Sequence, residues 1–318
     1  LLLALLLLLA GCSGTGGAKL VVNGKEVSVP YVMKINGEKI SLEEFRYYFL
    51  FQTLFDGDGQ VTAEENDEYR QLTAERLVNN YAIKQIAKDR GIKLTKEDEQ
   101  AIRDTIDATI EEMGGREGYL QLLSEYDMTE ELYKKMLRES VLYARLAEAL
   151  FGEGGEFFYT EQEILLFVDP EEYAAARFIY KPLDKEGSTE NQKAMQEAEK
   201  RLHEGESFEK LLAEYGEDGD MASSGQPKIF LKGSLTQDFE AAVLALNEGE
   251  TGGLVETDEG YYIVRRVQVN EDLIKAWPEA FRQCEQEKVF KAMLEKAVAK
   301  LTVEYHEIFD QITAQTLS

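Results

Sequence analysis

The chain has 318 residues, enough for about two domains, each with its own core. Apolar residues make up 44% and charged residues 30%, the balance of an ordinary globular protein. With 61 acidic and 35 basic residues the net charge is −26, which argues against a protein that grips nucleic acid by its phosphates, a task that needs lysine and arginine.

The first ten residues are apolar and are followed by Gly11 and Cys12. That run is too short to cross a bilayer but suits the core of a secretory signal, so residues 1–11 read as a signal peptide. Leu9-Ala10-Gly11-Cys12 resembles the bacterial lipobox. By that resemblance Cys12 carries the lipid, residues 12–19 form a Ser/Gly-rich tether, and the protein sits on the extracytoplasmic face of the cell membrane through its lipid anchor. Cys284 is then the only free thiol, and no intrachain disulfide is expected.

From Leu20 the chain repeats a short pattern, VVNGKEVSV and then VMKINGEKIS, each an apolar run broken by the hairpin dipeptide Asn-Gly. Ser41 and Glu44 form the signature of a capping box before a helix whose apolar face is Leu42, Phe45, Tyr48 and Phe49. Residues 54–65 put Asp56, Asp58, Gly59 and Glu65 at places 3, 5, 6 and 12 of an EF-hand loop, but Leu54 stands at place 1. A Thr62/Glu65 capping box explains the same residues. No metal site is therefore assigned, and calcium binding at this loop stays open.

Four helices follow, marked by Leu77, Val78, Tyr81, Ala82 and Ile86; by Ile102, Ile106, Ile110 and Met113; by residues 117–125; and by Leu132, Met136, Tyr143 and Ala147. Arg90-Gly91 is a stop signal, while Thr95 and Thr129 are starts. The stripes read as core. Asp169-Pro170 marks a boundary, giving a first domain over 20–171. Beyond it, a strand places Ala175, Arg177 and Ile179 on one face. One helix then carries Met195, Ala198 and Leu202, and Ser207 caps another with Phe208, Leu211, Leu212 and Tyr215 inward. Residues 225–267 read as strand, loop, helix, turn and two strands. The helix buries Phe239, Ala242, Val243 and Leu246, and the last strand alternates Tyr261, Ile263 and Val267. Pro278 opens a long C-terminal helix with two apolar stripes, Val289, Met293, Ala297, Leu301 and Phe290, Leu294, Val298, which must dock on something.

Several of these residues form one ordered series: a phenylalanine closing a strand, Lys-Gly, an apolar residue, Phe-Glu-x-Ala, Leu-x-x-Gly-Glu, and Glu-Gly-Tyr-x-Ile-Val. The series resembles the parvulin-type peptidyl-prolyl isomerases. The earlier Asn-Gly-Glu-x-Ile-Ser-x-Glu-Glu-Phe is similar to the opening of the N-terminal chaperone region in PrsA- and SurA-like foldases. The resemblance implies an α+β chain: a helical SurA_N-like chaperone domain over 20–171, an inserted parvulin domain over 172–269 with a four-stranded antiparallel sheet and four helices, and a segment 270–318 that packs back on the first domain.

It further implies a proline pocket of Phe230, Leu235 and Phe239, with Asp218 in the place of the family's Cys or Asp. The family's two strand histidines fall at Arg177 and Tyr262, so both are substituted. The chain's own pair, His203 and His306, sit on polar faces. Expected partners are unfolded or proline-containing exported polypeptides and the membrane, with no nucleic acid, no cofactor, and homodimer formation left open. Two readings follow. One is an isomerase, which must lower a barrier of about 18–20 kcal/mol by favouring the twisted amide; the other is a non-catalytic peptide-binding chaperone. No metal-ligand spacing, phosphate loop or nucleophile elbow competes.

Overall fold

The computed structural model describes residues 20–317 apart from 23, 56–60, 127, 186, 218–220, 222 and 223. Cys12, Asp218 and the middle of the 54–65 loop lie outside the described residues. The chain divides into two compact units, one reaching to Glu156 and resuming at Phe290, the other spanning Phe157–Val289.

The first unit opens with two antiparallel hairpins, β1 (Leu20–Val22) with β2 (Lys25–Val27) and β3 (Met33–Ile35) with β4 (Glu38–Ile40). Asn36 and Gly37 turn the second hairpin with φ of 49° and 81°, the left-handed pair a type I′ turn requires. Five helices follow: α1 (Leu42–Phe55), α2 (Ala63–Asp89), α3 (Lys96–Glu112), α4 (Arg116–Glu125) and α5 (Glu130–Phe151). Thr62, Thr95 and Thr129 each accept from the backbone N–H three residues on. At Thr62 the box is complete, Glu65 accepting the Thr62 N–H at 2.7 Å, so this carboxylate acts as a cap.

Ser41 accepts the Glu44 N–H at 3.1 Å, but the Glu44 carboxylate turns instead to Lys135 of α5, whose ammonium lies 2.7 Å from both oxygens. Glu44 is only 6% exposed, and a desolvated carboxylate gains more from an ammonium than from one backbone N–H. Burial raises its pKa above the ordinary value, with Lys135 pulling the other way. Glu139, also buried, pairs with Lys84 at 3.0 Å and lies 4.0 Å from Lys135, which joins it to the Glu44 pair.

The end of the chain completes this unit. A C-terminal strand, Val303–Tyr305, pairs antiparallel with β3 to give the order β4, β3, C-terminal strand. Thr302 donates to the Asn36 side chain at 2.8 Å through its backbone and at 3.1 Å through its hydroxyl. Ile308, Phe309, Ile312 and Leu317 enter the core built by Leu20, Met33, Ile35, Phe45, Phe49 and Leu77. Arg70, buried in α2, donates to the Ile312 carbonyl at 2.9 Å and lies over the Phe309 ring.

The second unit holds α6 (Glu161–Phe167), β5 (Tyr173–Pro182), α7 (Glu190–His203), α8 (Phe208–Tyr215), β6 (Lys228–Leu231), α9 (Gln237–Leu244), β7 (Thr251–Glu256), β8 (Gly260–Val267), α10 (Glu271–Ala276) and most of the turns of α11 (Pro278–Val298). Its four strands are antiparallel in the order β6, β5, β8, β7. This unit is wider than the 172–269 anticipated from sequence. Tyr173, Ile164, Ile274, Phe281 and Cys284 share one small core, which draws residues 157–171 and 270–289 into the unit. Lys288 and Glu172, 2.6 Å apart, pair there too.

Candidate active site

Because β5 and β8 are both pleated, their register decides which side chains meet. Ile179 lies opposite Ile263 and Arg177 opposite Arg265, while Phe178 faces Val264 and Tyr180 faces Tyr262. Directly opposed residues share a face, so Arg177 and Tyr262 fall on opposite faces of the sheet. The two positions that the resemblance assigns to the family's histidines, Arg177 and Tyr262, therefore do not meet. Arg177 reaches Glu209 of α8 at 2.7 Å and lies over Phe208, where Arg265 lies 4.5 Å from the same ring. The aromatic β5 side chains that share the Tyr262 face are Phe178, one residue on from Arg177, and Tyr180.

On that face five rings, with Phe239 of α9 at their centre, form one cluster. Phe178 and Tyr262 stand edge-on to it with centroids 5.4 and 5.1 Å away, and Phe230 of β6 lies at 6.4 Å. Tyr180 packs 4.9 Å from Tyr262. Leu235, half-buried, packs on the same cluster, so the structure brings Phe230, Leu235 and Phe239 together. Phe239 is 5% exposed, which makes it part of the unit's core as well as a pocket wall.

Two carboxylates order the surroundings. Glu240, buried on α9, accepts the Gly233 N–H at 2.5 Å and the Leu235 N–H at 3.2 Å, tying the loop before the helix to the helix itself. Glu259, in the turn between β7 and β8, accepts the Tyr262 hydroxyl at 3.2 Å, and its carbonyl accepts the Tyr180 hydroxyl at 3.2 Å. Thr257 holds that turn by accepting the Glu259 and Gly260 N–H groups at 3.1 and 3.3 Å. Gly260 has to be glycine, since a Cβ there would stand 2.3 Å from the Lys181 carbonyl oxygen.

Burial and the Glu259 charge push the Tyr262 hydroxyl well above the usual phenol range, so it donates a proton in a hydrogen bond and does not act as a base near neutral pH. Neither histidine reaches the cluster. His203 is the exposed last residue of α7, and His306 stacks edge-on against Tyr31 in the first unit. Phe178, Tyr180, Glu240 and Glu259 were not singled out from sequence. For Phe178 the signal was the alternation along β5, and for Glu240 it was the Glu of Phe-Glu-x-Ala.

Residues 1–147 match the family described as SurA-like N-terminal domain, and residues 177–268 match the PPIC-type PPIase domain. Among curated relatives, the foldase protein PrsA of Geobacillus kaustophilus is 36% identical over 76 residues, 24% of this chain and 27% of that protein. That match therefore spans only about a quarter of the relative's length. The PrsA of Oceanobacillus iheyensis is 22% identical over 277 residues, 85% of this chain and 80% of the relative. Of solved structures, foldase protein PrsA from Streptococcus pneumoniae aligns over 95% of this chain and 100% of its own at 18% identity, with a TM-score of 0.34. The chain thus carries, in order, a match to a SurA-like N-terminal domain and a match to a PPIC-type PPIase domain, and over most of its length it is similar to the PrsA foldases.

Proposed function

We propose that this protein is an extracytoplasmic foldase, held to the membrane by a lipid on Cys12, whose parvulin-type domain binds proline-containing segments of exported polypeptides and isomerises them slowly. The observation that carries the reading is the histidine-free aromatic cluster on one sheet face, with Phe178 and Tyr262 side by side at 5.5 Å. Phe230, Leu235 and Phe239 offer apolar contact to a proline ring in either isomer. Binding both planar forms equally lowers no barrier; acceleration needs a contact felt only by the twisted amide. Tyr262 directs its one proton to Glu259, and Phe178 has none to give. Arg177 is on the other face, engaged by Glu209. Asp218, proposed in the family's Cys or Asp place, is the remaining acid for the site. No described helix is long and apolar enough to cross a membrane.

The test is a cis/trans exchange measurement on an Ala-Pro tetrapeptide. The unaltered chain should bind the peptide weakly and accelerate exchange only slightly, and Phe178→His with Tyr262→His should raise the rate at least tenfold, whereas Arg177→His with Tyr262→His should not. Parvulin-level turnover by the unaltered chain, lost in Asp218→Asn, would overturn the slow-isomerase reading.

A further inference from the structure

Lys228 stands at the edge of the aromatic cluster in a way the family resemblance does not account for. It opens β6, the edge strand, opposite Ala176, which keeps it on the face of Phe178 and Tyr262. Its ammonium lies 5.8 Å from the centroid of Phe239 and the residue is exposed. Among the described residues no carboxylate sits within ion-pair distance of it, in a chain with 61 acidic side chains. Among the described residues, the charged groups that border the aromatic cluster have partners of their own. Glu240 is buried on two backbone N–H groups, Glu259 takes the Tyr262 hydroxyl, and Arg266 donates to the Leu244 and Leu246 carbonyls.

We propose that Lys228 sets the sequence preference of the pocket, favouring prolines flanked by aspartate or glutamate. This rests on the reading of the Phe239 cluster as a proline site. A proline ring against Phe239 puts the neighbouring residue one Cα step, about 3.8 Å, away, within reach of a four-carbon side chain carrying the ammonium. The ammonium does not have to leave the ring to meet a carboxylate, since it has three donors and the ring takes only one side of it. The chain's overall negative charge opposes acidic peptides, but that field is screened over about 8 Å at physiological salt, whereas the contact is shorter than that. An exposed ion pair of this kind changes affinity by about two- to fivefold.

The experiment measures binding of labelled peptides Ala-Xaa-Pro-Xaa-Ala, with Xaa as Glu, Ala or Lys, to the full chain by anisotropy at 50 and 150 mM salt. The expected order is Glu, Ala, Lys from tightest to weakest, about threefold per step and compressed at the higher salt. Lys228→Ala should flatten the order and Lys228→Glu should reverse it; the site is exposed, and unchanged circular dichroism would verify that both variants fold. Equal binding of all three peptides by the unaltered chain, or an order that survives Lys228→Glu, overturns the assignment of Lys228 while leaving the proline site standing. Failure of every Xaa-Pro peptide to bind overturns the proline site itself, and the preference with it.

Discussion

Phe239→Ala is the substitution whose consequence can be worked furthest. The ring is 5% exposed and meets three other rings, at 5.1, 5.4 and 6.4 Å. Removing a buried phenylalanine costs about 3–5 kcal/mol, the lost transfer of the ring plus the cavity it leaves. Edge-on contacts of about 0.5–1.5 kcal/mol each place this site toward the upper end. A domain is stable by only about 5–15 kcal/mol, so the second unit would lose a large share of its margin. With a urea dependence of about 2 kcal/mol per molar, the midpoint should fall by about 1.5–2.5 M. Trp277, the single tryptophan, lies in the second unit, so its emission reports that transition, while circular dichroism also follows the helical first unit. The Trp277-reported midpoint should drop and the first unit's should stay. A shift under about 0.5 M, equivalent to about 1 kcal/mol, would refute the core role. The corollary is practical: lost peptide affinity in Phe239→Ala mixes unfolding with binding, and Leu235→Ala, at a half-buried site, is the cleaner probe.

Replacing Lys135 with Met should destabilise the first unit by about 3 kcal/mol at pH 7, the lower end for breaking a buried pair, since the ammonium keeps 31% exposure while Glu44 does not. Burial already holds the Glu44 pKa above 4.5, so the folded state takes up its proton first and stability falls as pH rises from about 4.5; without Lys135 that pKa climbs further. Thermal melts should therefore show the variant recovering as pH is lowered from 7 to 5, and a pH-independent deficit would contradict this. Ending the chain after Leu301 removes Ile308, Phe309, Ile312 and Leu317 from the core, each worth about 1.5–3 kcal/mol, so amide exchange in α1 and α2 should lose its protection. Protection retained there would mean the C-terminal strand is dispensable.

Much of the fold could be read from residues a few positions apart. The Asn-Gly hairpins, the threonine caps and the apolar stripes all concern neighbours in sequence, where local geometry acts alone. What escaped depends on register or on distant partners. Arg177 was correctly grouped with Ile179, and Tyr262 stands beside Ile263, but only the opposition of Ile179 to Ile263 shows that Arg177 and Tyr262 look in opposite directions. Nothing in either strand alone states that offset. Glu44 looked like half of a capping box because Ser41 is three residues away, while Lys135, its true partner, is 91 residues on. That residues beyond 269 pack against β5 was equally out of local reach, since Tyr173 and Phe281 meet with centroids 5.2 Å apart across a long stretch of chain.

The strand Val303–Tyr305 lies beside β3, and Arg70 holds the Ile312 carbonyl across 242 positions of sequence. A polypeptide that emerges from its N-terminus first therefore delivers β3, α1 and α2 long before the residues that close over them. The contiguous second unit can collapse as soon as residue 289 has appeared, but the first unit waits with an unpaired strand edge and an open apolar core. For that interval the first unit exposes apolar surface that only residues 290–318 can cover, and the yield of folded protein should be set by how quickly they arrive.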